Sequence, residues 1–278
     1  MNFIEKLAQA GKKNNSLLCV GLDPDPALMT EKIGVYEFNK AIIDATADLV
    51  CAYKPNIAFY EAMGNAGLDA LKKTRDYIPK EIPVIVDAKR GDIGNTAKAY
   101  AQSLFDHFNF DATTASPYLG YDSLEPFIKY RDRGVFILCR TSNAGAADFQ
   151  SLTIKTDGGQ KMLFEIVAEK VNEWNTLGNL GLVVGATYPE ELKLIRERYP
   201  EMPLLIPGVG AQGGELAQVV KYGVDTRRQR TIVNSSRQIL YASKGKDFAA
   251  AARQAAKELR DKINGYLDEI QVSGEGIG

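Results

Sequence analysis

Short apolar runs rich in β-branched residues alternate with amphipathic stretches from one end of the chain to the other. Residues 16–24 (SLLCVGLDP) predict a first strand. Residues 35–50 then repeat their apolar positions every three or four residues, the period of a helix. The same pair recurs, with strands at 52–60, 83–91, 111–118, 134–142, 180–187, 203–210 and 230–237. The intervening and closing helices are predicted at 67–78, 96–108, 124–133, 161–174, 189–199, 214–223 and 246–270. The Gly-rich tail 271–278 predicts a frayed end.

Eight βα units in about 250 residues is the count of a TIM (β/α)8 barrel, an α/β fold, with an open doubly wound sheet as the competitor. No linker or shift of composition divides the chain, so the expectation is one domain over 1–278. The barrel proper spans about 15–245, with an N-terminal helix and a long C-terminal helix packed outside it. Polar residues also fall repeatedly just after the apolar part of each strand, and only a closed barrel converges those ends on one face.

Those strand ends carry the candidate chemistry. Strand one ends in Asp23 and Asp25, strand two carries Lys54, and strand three ends with Asp87, Lys89, Arg90 and Asp92. Strand four gives Ser116, strand five Arg140 to Asn143, and strand eight Asn234 to Arg237. Lys54 lies inside an apolar strand, where a cation needs an anion beside it, and the adjacent strand brings Asp87. Asp87 and Lys89 are two apart and point the same way along a strand. Lys54, Asp87 and Lys89 therefore predict a row of alternating charge, extended by Asp92. Taken alone, D-x-K-x-x-D also reads as a solvated turn.

Composition narrows the chemistry. With 34 basic and 35 acidic residues the net charge is −1, so no global field points to nucleic acid or to an anionic membrane. One histidine, His107, leaves no room for a Ser-His-Asp triad or a multi-histidine metal site, and acid–base work falls to Lys, Asp, Glu or Tyr. Cys19, Cys51 and Cys139 fit no metal or redox spacing and read as buried thiols of a reducing, cytoplasmic compartment. No apolar run approaches the roughly 20 residues of a membrane span.

The seventh strand runs into PGVGAQGG, which contains G-x-G-x-x-G at Gly208, Gly210 and Gly213. A dinucleotide site needs that motif on the first strand and an acid about 20 residues later, and neither holds. Glycines there instead let backbone N–H groups approach an anion, in the loops where TIM barrels commonly bind phosphate. Arg237 offers its fork to phosphate oxygens and Gln212 a hydrogen bond.

Taken in order, GLDPDP, YKPN, DAKRGDIGNTA, RTSN, PGVGAQGG and NSSR resemble orotidine 5′-phosphate decarboxylase, specifically its longer bacterial-type branch, across about residues 15–245. The resemblance implies a TIM-barrel homodimer that converts orotidine 5′-monophosphate to UMP and CO2 without metal or cofactor. By position, Lys89 resembles the proton donor to pyrimidine C6, with Asp87 and Lys54 its charge partners. Lys54 and Asp23 would hold ribose hydroxyls, and Ser142 the pyrimidine edge. Gln212 and Arg237 would clamp the phosphate. Asp92 and Thr96 would reach the neighbouring subunit's site. Two stretches depart from the family: SNAG stands where SNPG is usual, and the basic run TRRQR precedes strand eight.

Two other functions compete. Related phosphate-binding barrels act on sugar phosphates with Mg2+, held in part by a carboxylate on the second strand. Here that position is Lys54, whose charge repels the metal. A catalytically silent barrel serving as a binding module is the other, and it would have no need to keep its charged strand ends.

Overall fold

Each apolar run becomes a strand in the computed structural model, which describes residues 1–29, 33–209 and 213–273. Parallel strands β1 (Leu18–Leu22), β2 (Ala52–Pro55), β3 (Ile85–Arg90), β4 (Ala112–Ala115) and β5 (Gly134–Arg140) come first. An antiparallel hairpin of β6 (Thr153–Thr156) and β7 (Gly159–Met162) intervenes. Parallel pairing resumes with β8 (Leu180–Val184), β9 (Leu204–Pro207) and β10 (Thr231–Ser235). The strand order is β2-β1-β10-β9-β8-β5-β4-β3. Two bridges, Tyr53 to Val84 and Asn56 to Asp87, join β2 to β3 and close the ring. The fold is thus the (β/α)8 barrel expected from the pattern.

The helices are α1 (Phe3–Asn14), α2 (Val35–Thr46), α3 (Ile57–Glu61), α4 (Gly64–Tyr77), α5 (Gly94–Gln102), α6 (Tyr121–Ile128), α7 (Leu163–Trp174), α8 (Pro189–Arg198), α9 (Gly213–Gly223), α10 (Arg237–Leu240) and α11 (Phe248–Ser273). Alternation along the strands separates two apolar layers. Val20, Val86, Ile137, Leu182, Ile206 and Val233 pack outward with the helices. Cys19, Ala52, Ile85, Ala112, Phe136, Val183, Leu205 and Ile232 fill the interior.

Phe3 and Leu7 of α1 belong to that interior layer. The helix lies across the N-terminal end of the ring instead of joining the outer layer. Phe3 meets Phe136 edge-on at 5.6 Å. Asp111 ties the contact down: it pairs with Lys6 at 2.7 Å and accepts the Val84 N–H at 2.9 Å. Asn2 and Glu5 start the helix with a capping box. One end of the barrel is therefore plugged, and the C-terminal strand ends form its only mouth among the described residues.

Three predicted elements differ. The second strand stops at Pro55 instead of residue 60, because the Asn56 side chain accepts the Ala58 N–H and starts α3. The stretch between the predicted fifth strand and the 161–174 helix holds β6 and β7, turning at 157–158, and β7 takes the first two residues assigned to that helix. This hairpin is largely exposed, so it lacks the alternation that marks a half-buried strand. The last helix continues to Ser273.

Candidate active site

Adjacent strands β2 and β3 bring three of the predicted charges together. Lys54 is 4% exposed, and its Nζ lies 3.2 Å from Asp87 Oδ2. Lys89 Nζ lies 2.6 Å from Asp87 Oδ1. One carboxylate is thus shared by two ammonium groups, one buried and one half-exposed at the mouth. Burial alone would push Asp87 upward, but the charges of Lys54 and Lys89 outweigh it and hold the carboxyl at about 2. Burial likewise penalises the Lys54 ammonium, and Asp87 and Asp23 reverse that and raise it.

Lys89 leaves the ordinary strand conformation. Its φ is +47°, in the left-handed region, where a residue with a Cβ costs roughly 1–2 kcal/mol. The pairing shows why. From Val86–Thr113 to Arg90–Ala115, β3 takes four steps while β4 takes two. The surplus bulges into the mouth and carries Lys89 with it. Thr114 lies opposite the bulge. Its hydroxyl accepts the Lys89 N–H at 2.9 Å and donates to Asp87 Oδ1 at 2.8 Å. The sequence reading passed over Thr114, although its two-residue spacing from inward-facing Ala112 places it on the same face.

The other charges of this stretch go elsewhere. Arg90 turns outward, pairs with Glu61 and lies over the Tyr100 ring at 4.9 Å. Asp92 accepts the Ile93 N–H at 2.8 Å, and neither Asp92 nor Thr96 lines the mouth of this subunit among the described residues. Arg140 also leaves the mouth, pairing with Glu191 and stacking on Tyr188 at 3.7 Å.

The mouth has two lobes that meet at Lys54, Asp87 and Pro207. The first, about 440 Å³, is walled by Leu138, Val183 and Leu205 below and by the strand-five loop with Ser142 above. Gln150 fixes that loop, accepting the Thr141 N–H at 2.8 Å and donating to Thr141 Oγ1 at 2.9 Å. Gly208, with φ +87°, lies close against Ser142: a Cβ there would stand 3.3 Å from its Oγ. The second lobe, about 630 Å³, is lined by Asp23, Asn56, Asn234, Ser235 and Arg237. Asp23 Oδ1 accepts the Asn56 N–H at 3.0 Å. The buried Asn234 Oδ1 has no partner among the described residues. Gln212 and Gly210 lie outside the described residues. The basic run before β10 folds back on the surface, with Arg228 on the Leu267 carbonyl and Arg230 beside Glu201.

This mouth offers an ammonium at a small, mostly apolar cavity, with hydroxyl and amide groups and a guanidinium about one lobe away. Such a layout suits a planar anionic ring with a remote phosphate. The family model described as orotidine 5′-phosphate decarboxylase / HUMPS family matches residues 16–255. An orotidine 5′-phosphate decarboxylase of Dehalococcoides mccartyi is 58% identical over 96% of this chain and 98% of its own. One from Roseiflexus castenholzii is 54% identical over 97% and 100%. The solved Leishmania donovani OMP decarboxylase superposes with a TM-score of 0.84 at 42% identity, covering 96% of this chain and 98% of that one. The chain belongs to the orotidine 5′-phosphate decarboxylase / HUMPS family.

Proposed function

We propose that the chain converts orotidine 5′-monophosphate to UMP and CO2, the last step of de novo pyrimidine synthesis, with Lys89 protonating C6. The observation that carries this is the Lys54–Asp87–Lys89 row at the mouth of a barrel of this family. Loss of CO2 leaves an electron pair in the plane of the pyrimidine, where the ring π system cannot accept it. A fixed ammonium stabilises that charge as it forms and then gives up its proton to C6. Asp87 keeps the ammonium in place. The apolar wall of Leu138, Val183 and Leu205 suits a neutral CO2 better than the carboxylate it leaves.

Ser142 stands over the first lobe to meet the pyrimidine edge, while Asp23 and Lys54 face the ribose. Arg237 takes the phosphate in the second lobe, and the resemblance adds Gln212 to that clamp. Because the phosphate is remote from the reacting bond, its binding energy serves to orient the ring. The work of Asp92 and Thr96 lies in the neighbouring subunit. Ile93, Tyr118, Leu119 and Tyr121, which follow β3 and β4, are 56%, 83%, 46% and 41% exposed, apolar surface suited to a second copy of the chain. Cys19, Cys51 and Cys139 are buried and unbridged, which suits the cytoplasm.

Sugar-phosphate chemistry through Mg2+ fits poorly, because two ammonium groups flank the buried Asp87 carboxylate. The test follows the loss of orotate absorbance with orotidine 5′-monophosphate, with and without EDTA. Turnover insensitive to EDTA and abolished by Lys89→Ala, in a protein that still folds and binds UMP, is expected. Near-wild-type turnover of Lys89→Ala would sink the assignment.

A further inference from the structure

We infer that Thr114 is a positioning residue for Lys89, and that its hydroxyl, not its bulk, holds the left-handed turn that aims the ammonium across the mouth. The bulge in β3 removes the regular ladder partner of the Lys89 N–H, and Thr114 Oγ1 replaces it at 2.9 Å. The single proton of that hydroxyl goes to Asp87 Oδ1 at 2.8 Å. The same oxygen of Asp87 receives Lys89 Nζ at 2.6 Å. One buried hydroxyl thus closes a small ring through the backbone of Lys89, its side chain and its counter-ion.

Thr114 is 1% exposed, so water does not readily substitute for it. Removing the oxygen leaves the Lys89 N–H unpaired at a strained φ and Asp87 with one donor fewer. The turn then relaxes toward ordinary strand geometry, and the ammonium swings off the line to C6. Ground-state binding, made by the ribose and phosphate lobe, is not touched. Thr114→Val keeps the shape and deletes the hydroxyl, whereas Thr114→Ser keeps the hydroxyl and deletes a methyl.

The inference rests on Lys89 as the proton donor, and the measurements separate the two. The kcat for orotidine 5′-monophosphate and the affinity for UMP are measured for the wild type and for Thr114→Val, Thr114→Ser and Thr114→Ala. A misaim of about 1 Å predicts a kcat about 100-fold lower for Thr114→Val, with UMP affinity little changed. Thr114→Ser recovers most of the rate. If the valine variant does not fold, the serine and alanine variants, which differ only in the oxygen, carry the same comparison. A near-wild-type kcat for Thr114→Val, or equal rates for serine and alanine, overturns the role of Thr114 while inactive Lys89→Ala leaves the proton donor standing. An active Lys89→Ala overturns both.

Discussion

Asp87 keeps its charge in a site that would otherwise neutralise it, and this has a consequence in acid. Its carboxyl titrates at about 2 in the folded protein, below the ordinary 3.8. A depressed carboxylate contributes stability that is present above its unfolded value and lost as pH falls through the folded one. The difference is on the order of 2 kcal/mol, lost between about pH 4 and pH 2. Asp87→Asn has no such group to titrate. In urea unfolding, the gap in stability between wild type and Asp87→Asn is expected to narrow over that window, and a constant gap would contradict the pairing. Lys54 acts in the opposite sense: its raised ammonium supports the fold below its ordinary 10.5 and stops doing so as pH rises through the folded value. Single residues of this kind were legible in the sequence, because a lysine in an apolar strand and an aspartate on the next have few other ways to be buried. Thr114 was not, because a threonine in a strand is commonplace until the bulge beside it is seen.

Among the elements, α1 contributes more than its amphipathic sequence foretold. Its Phe3 ring rests on Phe136 in the floor of the barrel, and a Cβ at position 134 would overlap that ring. Deleting so well buried a ring predicts that Phe3→Ala loses about 3 kcal/mol, read as a lower midpoint in thermal or urea unfolding. The mouth lies at the other end, so kcat at a permissive temperature should hold. A loss of activity without loss of stability would speak against this division. Most barrel strands were legible because they carry a continuous apolar run, although β4 is only Ala-Thr-Thr-Ala and β2 ends five residues before its predicted limit. The β6–β7 hairpin was missed because its side chains face solvent, and α3 was missed because a single capping asparagine decides it.

For the whole molecule, the closed order of eight strands explains why charges far apart in sequence meet, and that much was foreseeable from their place after each apolar run. Asp92 and Thr96, by contrast, line neither lobe of the mouth that holds their own Lys89. If they serve a neighbour, mixing inactive Lys89→Ala and Asp92→Ala subunits should restore part of the activity, since a mixed dimer contains one intact site. Absence of recovery despite proven subunit exchange would place Asp92 elsewhere.

The junction of β2 and β3 bears on how such a protein can change over time. Other neighbouring strands pair in ladders, some with a register shift, whereas these two meet through isolated bridges, and Lys54 and Asp87 reach across the same gap. The ion pair proposed to serve the reaction therefore also fastens the barrel where its strands meet only through isolated bridges. A descendant that lost the chemistry by discarding either charge would loosen its own closure and leave the other charge buried alone. Retirement from catalysis is a structural event in this fold, and a lineage taking that route must first replace the fastening with something apolar.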